Sequence, residues 1–154
     1  MKTRNRFVVL LGACGLAGLL AYGHASQAQL LSARAIRNVM GRCLDVNGGV
    51  NQNGGNVQIW DCNGTAAQIW SVQGTQIQNA MGRCLDVNGG VNDNGTNVQI
   101  WDCNGTPAQQ WSINGSQIRN AMGRCLDVNG GINQNGGNVQ IWDCNGTPAQ
   151  QWSL

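Results

Sequence analysis

The sequence predicts an all-β fold made of three pseudo-symmetric units that share one core. The segment from Gly41 to Trp70 returns almost unchanged from Gly82 to Trp111 and from Gly123 to Trp152. Gly and Asn interrupt the chain about every dozen residues, so no stretch keeps a helical period. One such unit is too small to bury an apolar face alone, and three units that pack together can do so.

Each unit contains four short segments with the composition of β-strands. In the first unit these segments are Ile36–Val39, Cys43–Val46, Asn56–Trp60 and Gln68–Val72. Asn-Gly-Gly sequences between them supply residues that tolerate positive φ, and Asn114-Gly115 is typical of a hairpin that joins two units. Three units therefore give twelve strands, and a closed three-fold arrangement leaves no exposed sheet edge.

The first 28 residues predict a secretory signal peptide. A basic start precedes the mostly apolar run Phe7–Ala21, and small residues precede the expected cleavage after Ala28. The run is short for a helix that spans a membrane, so no membrane span is expected. A lipoprotein cleavage box that ends at Cys14 is a minor alternative. We expect a secreted or periplasmic protein.

Residues 29–154 are expected to form one domain, with units at about 36–76, 77–117 and 118–154. This part keeps six arginines and seven aspartates, so the basicity of the full chain belongs to the signal peptide. No basic patch remains to neutralise phosphates, and no nucleic-acid partner is expected. It also lacks His, Lys, Tyr, Phe and Glu, which excludes catalysis by a histidine base and histidine-ligated metals. No enzyme activity, cofactor or metal site is predicted.

Six cysteines remain in the domain, an even number in a chain expected to be exported. Three disulfides are therefore expected. Many pairings are open on sequence alone, and the symmetry of the repeats selects pairing within each unit. The expected bridges are Cys43–Cys62, Cys84–Cys103 and Cys125–Cys144.

Each unit also carries three motifs in the same order. These are Cys-Leu-Asp-Val, then Val-Gln-Ile-Trp-Asp-Cys-Asn-Gly-Thr, then Gln-x-Trp. In order, spacing and triplication they resemble the ricin B-type lectin family, and the resemblance covers Ile36 to Leu154. It implies a β-trefoil, in which a six-stranded barrel is capped by three hairpins. It also implies a non-catalytic lectin with up to three sugar sites and with glycans as partners.

The resemblance assigns four positions in each unit to carbohydrate binding. The Asp after Cys-Leu accepts hydrogen bonds from sugar hydroxyls, and the Trp before the second Cys stacks on the sugar ring. The Gln two residues before that Trp lines the pocket, and the Gln of Gln-x-Trp mainly braces it. The residues are Asp45, Gln58, Trp60 and Gln68, then Asp86, Gln99, Trp101 and Gln109, then Asp127, Gln140, Trp142 and Gln150. Aromatic stacking and charge-assisted bonds are the general chemistry of sugar recognition.

One position departs from the family pattern. Where the family often has Asn just before Gln-x-Trp, this chain has Ala67, Ala108 and Ala149. A lost hydrogen bond corresponds to about 1–1.5 kcal/mol, so galactose, a frequent family ligand, is less expected than a sugar in general. The candidate substitutes on the same loop are Asn63, Asn104 and Asn145.

Other roles stay open at this stage. Trp60 and its equivalents could cap the hairpin, and Asp45 and its equivalents could brace the Asn-Gly-Gly turn. Trp70, Trp111 and Trp152 are expected in the core, and Asp61, Asp102 and Asp143 are expected to be structural. A glycosidase that pairs Asp45 with Asp61, and a β-trefoil that binds a protein partner instead of sugar, are the alternative functions.

Overall fold

The computed structural model describes residues 33–154. The expected signal peptide and Cys14 lie outside the described residues. The described part contains thirteen β-strands in one sheet system, together with short 3₁₀ turns and no α-helix. No helix in residues 33–154 is long and apolar enough to cross a membrane.

The strands follow the three repeats. Unit 1 contains β1 (Arg34–Ala35), β2 (Arg37–Asn38), β3 (Cys43–Val46), β4 (Gly55–Trp60) and β5 (Ile69–Gln73). Unit 2 contains β6 (Gln76–Asn79), β7 (Cys84–Val87), β8 (Val98–Trp101) and β9 (Trp111–Asn114). Unit 3 contains β10 (Gln117–Asn120), β11 (Cys125–Val128), β12 (Gly137–Trp142) and β13 (Trp152–Ser153). Twelve strands were expected, and the extra one arises because the first strand divides at Ile36, with β1 pairing with β5 and β2 with β13.

The last unit closes onto the first, as the sequence predicts, because β13 pairs with β2. The β5–β6 and β9–β10 pairs have the equivalent register. The strands of these pairs are joined by the β1–β5 ladder and by two backbone hydrogen bonds of 2.7 Å, from Trp111 N to Thr75 O and from Trp152 N to Ser116 O. With β1 and β2 counted as one, these contacts connect six strands into a ring.

Three hairpins, β3–β4, β7–β8 and β11–β12, meet at the pseudo-three-fold axis. β4 pairs with both β8 and β12. Where these strands meet, the side chains of Asn56, Asn97 and Asn138 form a cycle in which each amide donates to the next at 2.9–3.0 Å. Every member of this cycle both donates and accepts, so the polar groups at the junction of the hairpins satisfy one another.

Unit 2 departs from the symmetry at Thr96. The equivalent positions in units 1 and 3 are Gly55 and Gly137, where an added Cβ would lie 3.1 Å from Gln52 O and 2.9 Å from Ile132 O. Thr96 carries a Cβ, yet Gly95 N and Thr96 O still form backbone hydrogen bonds of 2.9 Å with Ile141 of β12. β8 begins only at Val98, and the segment before it pairs with β12 through a bridge between Asn97 and Gln140.

The tryptophans of Gln-x-Trp lie in the core, as predicted. Trp70, Trp111 and Trp152 are 2 or 3% exposed. Each indole N–H donates to a buried carbonyl of the strand that carries the Asp, at 2.9–3.0 Å. This satisfies the one polar group of a large apolar side chain. The indole therefore fixes the distance between the barrel and the hairpin of its own unit.

The three disulfides pair within each unit, as predicted. In unit 1 the bridge joins Cys43, at the start of β3, to Cys62, just after β4. It therefore ties together the two chain segments that carry Asp45 and Trp60.

Candidate functional site

Each unit has one open cleft between its hairpin and its Gln-x-Trp loop. The cleft of unit 1, of about 510 Å³, is lined by Asp45, Gln58, Trp60, Asn63 and Ala67, among others. Equivalent residues line clefts of about 530 and 500 Å³ in units 2 and 3. We call these the first, second and third clefts. The repeat therefore reproduces one constellation of side chains three times.

The predicted Asp and the first predicted Gln lie side by side in each cleft. Asp45 on β3 is the register partner of Gln58 on β4, and Gln58 Nε2 donates to Asp45 Oδ2 at 2.8 Å. The corresponding distances are 2.9 Å in unit 2 and 3.0 Å in unit 3. Each carboxylate is only 5% exposed. An oriented carboxylate keeps free lone pairs and can accept further hydrogen bonds from a ligand.

The predicted stacking tryptophan lies at the end of β4, β8 or β12. Trp60, Trp101 and Trp142 are each 39% exposed, whereas the core tryptophans are almost fully buried. The edge of Trp60 lies next to a turn of unit 3, since a Cβ on Gly136 would come within 4.0 Å of Trp60 Cζ3. An exposed indole held in this way offers a flat apolar face toward the cleft.

The Gln of Gln-x-Trp acts from behind the cleft. Gln68 is 0% exposed and is absent from the cleft lining. Its Oε1 accepts from Asn63 N at 2.8 Å and its Nε2 donates to Asp61 O at 3.0 Å. Gln109 and Gln150 make the same two bonds and also donate to the carboxylates of Asp86 and Asp127 at 3.0 Å. These three glutamines therefore hold the loop and, in two units, the carboxylate.

The Asp between Trp and Cys lies outside the cleft. Asp61 forms an ion pair with Arg42, and its Oδ2 accepts from Asn135 Nδ2 of unit 3 at 2.8 Å. The backbone N–H of Asp61 donates to the same asparagine at 2.7 Å. Equivalent clusters join the other units. Asp61 therefore has the structural role that the sequence predicts. With Arg42 and Asn135 it forms a polar cluster, here called the clasp, that joins two units next to Trp60.

Ala67, at the position where the family often has Asn, lines the first cleft. Asn63 lines it too, and its Oδ1 accepts from Thr65 N at 3.0 Å and from Thr65 Oγ1 at 2.8 Å. Among residues 33–154, Asn63 Nδ2 has no hydrogen-bond partner. This amide is the donor that the loop can offer to a ligand in place of the missing asparagine.

The electrostatics of the first cleft are dominated by one carboxylate. Burial raises the pKa of Asp45 above its ordinary value of 3.8, and the amides of Gln58 and Gln68 offset this only in part.

In residues 33–154, no three His, Cys, Asp or Glu side chains come together in a group that could hold a metal ion.

The sequence interpretation missed the contribution of neighbouring units. The first cleft is also lined by Met81, which belongs to unit 2, and the clasp beside Trp60 contains Asn135 of unit 3. The available signal was the Asn-x-Met-Gly sequence that opens every unit.

Solved structures share this architecture. An exo-β-1,3-galactanase from Clostridium thermocellum matches with a TM-score of 0.72 and 28% identity, over 80% of this chain and 30% of that one. The haemolytic lectin CEL-III matches with a TM-score of 0.63 and 32% identity, over 77% of this chain and 28% of that one. The C-half of an earthworm R-type lectin, solved with GalNAc, matches with a TM-score of 0.65 and 21% identity, over 77% and 94%. The chain thus spans under a third of two of these proteins.

No curated protein matches the chain by sequence. The family model for the ricin-type beta-trefoil lectin domain matches residues 32–152, which contain all three clefts. Carbohydrate binding in general is the property that this family supports. With its three repeats, three bridges and ring of six strands, the chain belongs to the ricin-type β-trefoil lectin family.

Proposed function

We propose that the protein is a secreted, non-catalytic lectin with up to three sugar sites, one in each cleft, built from equivalent residues. The observation that supports this proposal best is the triple recurrence of an exposed tryptophan beside a buried Asp–Gln pair. A sugar has an apolar C–H face and a rim of hydroxyls, so a site needs one flat apolar surface and a few fixed polar groups. Each cleft has both.

In the first cleft, the indole of Trp60 stacks on the apolar face of the sugar. The carboxylate of Asp45 accepts hydrogen bonds from two hydroxyls, and Gln58 keeps that carboxylate oriented. Asn63 Nδ2 donates to a ring or hydroxyl oxygen. Gln68 makes no contact with the sugar and holds the loop that carries Asn63.

The same geometry argues against glycosidase chemistry. Hydrolysis of a glycosidic bond uses two carboxyl groups on either side of the bond. The lining of the first cleft contains one, that of Asp45. Asp61, the candidate partner, is ion-paired with Arg42 outside the lining. A turnover assay on aryl glycosides tests this part of the proposal, and measurable hydrolysis would contradict it.

Three sites on one small domain favour multivalent ligands. After one site engages a glycan surface, binding at the second becomes intramolecular, and avidity exceeds single-site affinity by roughly 10²–10⁴-fold where the glycans span the sites. We expect weak binding of free monosaccharide and cross-linking of glycan-coated beads.

A glycan array probed with residues 29–154 tests the proposal directly. We expect bound glycans, and stepwise loss of surface binding when Asp45→Asn, Asp86→Asn and Asp127→Asn are combined. If one substitution alone abolishes binding while the other two change nothing, only one site functions. An array without any bound glycan, together with a protein captured from solution, would support the protein-binding alternative instead.

A further inference from the structure

Each cleft is built by more than its own unit. Met81 of unit 2 lines the first cleft, Met122 of unit 3 lines the second, and Met40 of unit 1 lines the third. The third cleft thus depends on the β13–β2 pairing that brings unit 1 beside unit 3. Every cleft borrows one methionine from the unit that follows it around the ring.

Polar bonds fix the backbone of this methionine on both sides. Asn79 Oδ1 accepts from Met81 N at 3.0 Å, and Asn51 of unit 1 donates its Nδ2 to Met81 O at 3.0 Å. Asn79 is 2% exposed, and its Nδ2 donates to the carbonyl of Ala67 in the cleft wall at 3.2 Å. One buried asparagine thus ties the methionine turn of unit 2 to the cleft of unit 1. The equivalent bonds at Met122 and Met40 measure 2.9–3.0 Å.

The wall that Met81 and Ala67 form differs from the rest of the cleft. The polar side chains that line the cleft are those of Asp45, Gln58 and Asn63, together with Asn47 and Thr65. A methyl group and a thioether offer no donor, and sulfur is only a weak acceptor. A hydroxyl pressed against this wall loses its water without gaining a partner. A methyl group in the same place is removed from water with a gain in free energy.

We propose that Met81, Met122 and Met40 determine the specificity of the sugar site in the preceding unit. They select sugars that carry a methyl-bearing substituent, such as an acetamido group or the methyl of a 6-deoxy sugar, over the counterpart with a hydroxyl. This inference rests on the proposed lectin function.

The test isolates one site and compares two methionines. Asp86→Asn with Asp127→Asn leaves the first site alone intact. Affinities are then measured for galactose against N-acetylgalactosamine and 6-deoxygalactose, and for glucose against N-acetylglucosamine. In this background Met81→Ala is expected to lower the preference for the methyl-bearing member about three- to tenfold. Met81→Leu, which keeps an apolar side chain of similar size, is expected to retain most of that preference.

Met40→Ala is the matched comparison in the same background. Met40 belongs to the unit that carries the first site, but it lines the third cleft, which is disabled here. Both methionines are half-buried and pack against the core, so their loss should lower the melting temperature equally. Only Met81→Ala should change the sugar preference of the first site. With Asp45→Asn and Asp86→Asn, the third site remains, and Met40→Ala is then the substitution that should act.

The possible outcomes distinguish the role of the methionines from the lectin function itself. If Met81→Ala and Met40→Ala change the preference of the first site equally, or if neither changes it, the methionine assignment is wrong. If the unmodified protein binds these sugars without preferring the methyl-bearing ones, the inference is overturned and the lectin function stands. If it binds glycans on the array but none of these probes, the methionine inference is overturned and the lectin function stands. If it binds neither, both are overturned.

Discussion

The first cleft differs from the second and third in how its loop is held. Units 2 and 3 have Pro107 and Pro148 at the position of Ala66, and Gln110 and Gln151 at the position of Ile69. The two glutamines each donate to a glycine carbonyl of the same loop at 2.8 Å, a bond that isoleucine cannot make. Proline also restricts the backbone of the unfolded chain. The first cleft therefore differs in its lining at Ala66, and its loop has fewer restraints.

Two further contacts near the first cleft differ from their equivalents in the other units. Gln109 and Gln150 donate to their cleft carboxylates at 3.0 Å, whereas the amide of Gln68 lies near enough to lower the pKa of Asp45 without a hydrogen bond of that geometry. The Nε of Arg42, in the clasp beside Trp60, is buried without a partner in residues 33–154, whereas Arg83 Nε donates to Asn51 Oδ1 at 2.9 Å. The first loop thus lacks a proline and a glutamine bond that restrain the other two loops. We expect the first site to bind more weakly.

The largest expected effects come from substitutions in the core, where the three units should not differ. Trp70→Ala, Trp111→Ala and Trp152→Ala each remove a buried indole and its hydrogen bond, and each should cost about 3–5 kcal/mol of unfolding free energy. Urea denaturation measures this loss of unfolding free energy. Because the three indoles have matching burial and partners, the three costs should agree. A much smaller cost at Trp70 would place the asymmetry in the core instead of the loop.

The repeated sequence predicts the core position of these indoles, and it predicts much of the fold as well. The triplication, the turn residues and the cysteines predicted the all-β fold, the closure of the ring and the three bridges. The four site positions of each unit are predicted by the family resemblance, and they can be assigned because they lie within one copy of the repeat. For Gln68 the resemblance predicts a mainly bracing role, and Gln68 does hold the loop from behind the cleft.

Contacts between units could not be predicted in the same way. Met81, Asn135 and Asn79 reach a cleft or clasp in another unit, and three near-identical copies do not reveal which copy supplies which contact. The divided first strand and the late start of β8 after Thr96 also depend on packing between units. Sequence periodicity describes a unit, and only the three-dimensional arrangement assigns its neighbours.

Removal of one disulfide should have the next largest effect. Cys43→Ala with Cys62→Ala, and Cys125→Ala with Cys144→Ala, each open a loop of sequence separation 19, at a cost of about 3 kcal/mol in the chain-entropy model. The stability costs should be similar. The loss of sugar affinity should be greater at the first site, because its loop lacks the proline and the glutamine bond. Equal affinity losses, measured by calorimetry on single-site variants, would argue that those restraints do not matter.

Exchange of the loop residues tests the comparison itself. Ala66→Pro with Ile69→Gln gives the first loop the residues of the other two. Thr65 has φ −72 and ψ 161, close to the −67 and 161 of Thr106 before Pro107, so proline fits there without strain. We expect a gain of about 0.4–1 kcal/mol in stability from the proline, and tighter sugar binding at the first site. Pro107→Ala with Gln110→Ile is the reverse control and should weaken the second site.

The smallest effect, and the one that separates stability from binding, is the pH dependence at Asp45. Its pKa is raised by burial, so the folded state holds this proton more tightly than the unfolded state does. The contribution of Asp45 to stability is therefore greatest below the ordinary value of 3.8 and is lost as the pH rises through the folded pKa. Asp45→Asn, which has no proton to lose, should gain stability relative to the unmodified protein over that same rise in pH.

Sugar binding at the first site should have the opposite pH dependence. The ligand donates hydroxyls to the ionised carboxylate, so acidification through the folded pKa of Asp45 should weaken binding, and binding should release protons in that range. Calorimetry in buffers of different ionisation enthalpy, on the protein with Asp86→Asn and Asp127→Asn, measures both quantities. If affinity at the first site stays constant while the stability difference between the unmodified protein and Asp45→Asn changes with pH, Asp45 titrates without accepting a bond from the sugar. The carboxylate of Asp45 would then only hydrogen-bond within the β3–β4 hairpin, and Asn63 and Gln58 would be the groups that bind the sugar hydroxyls.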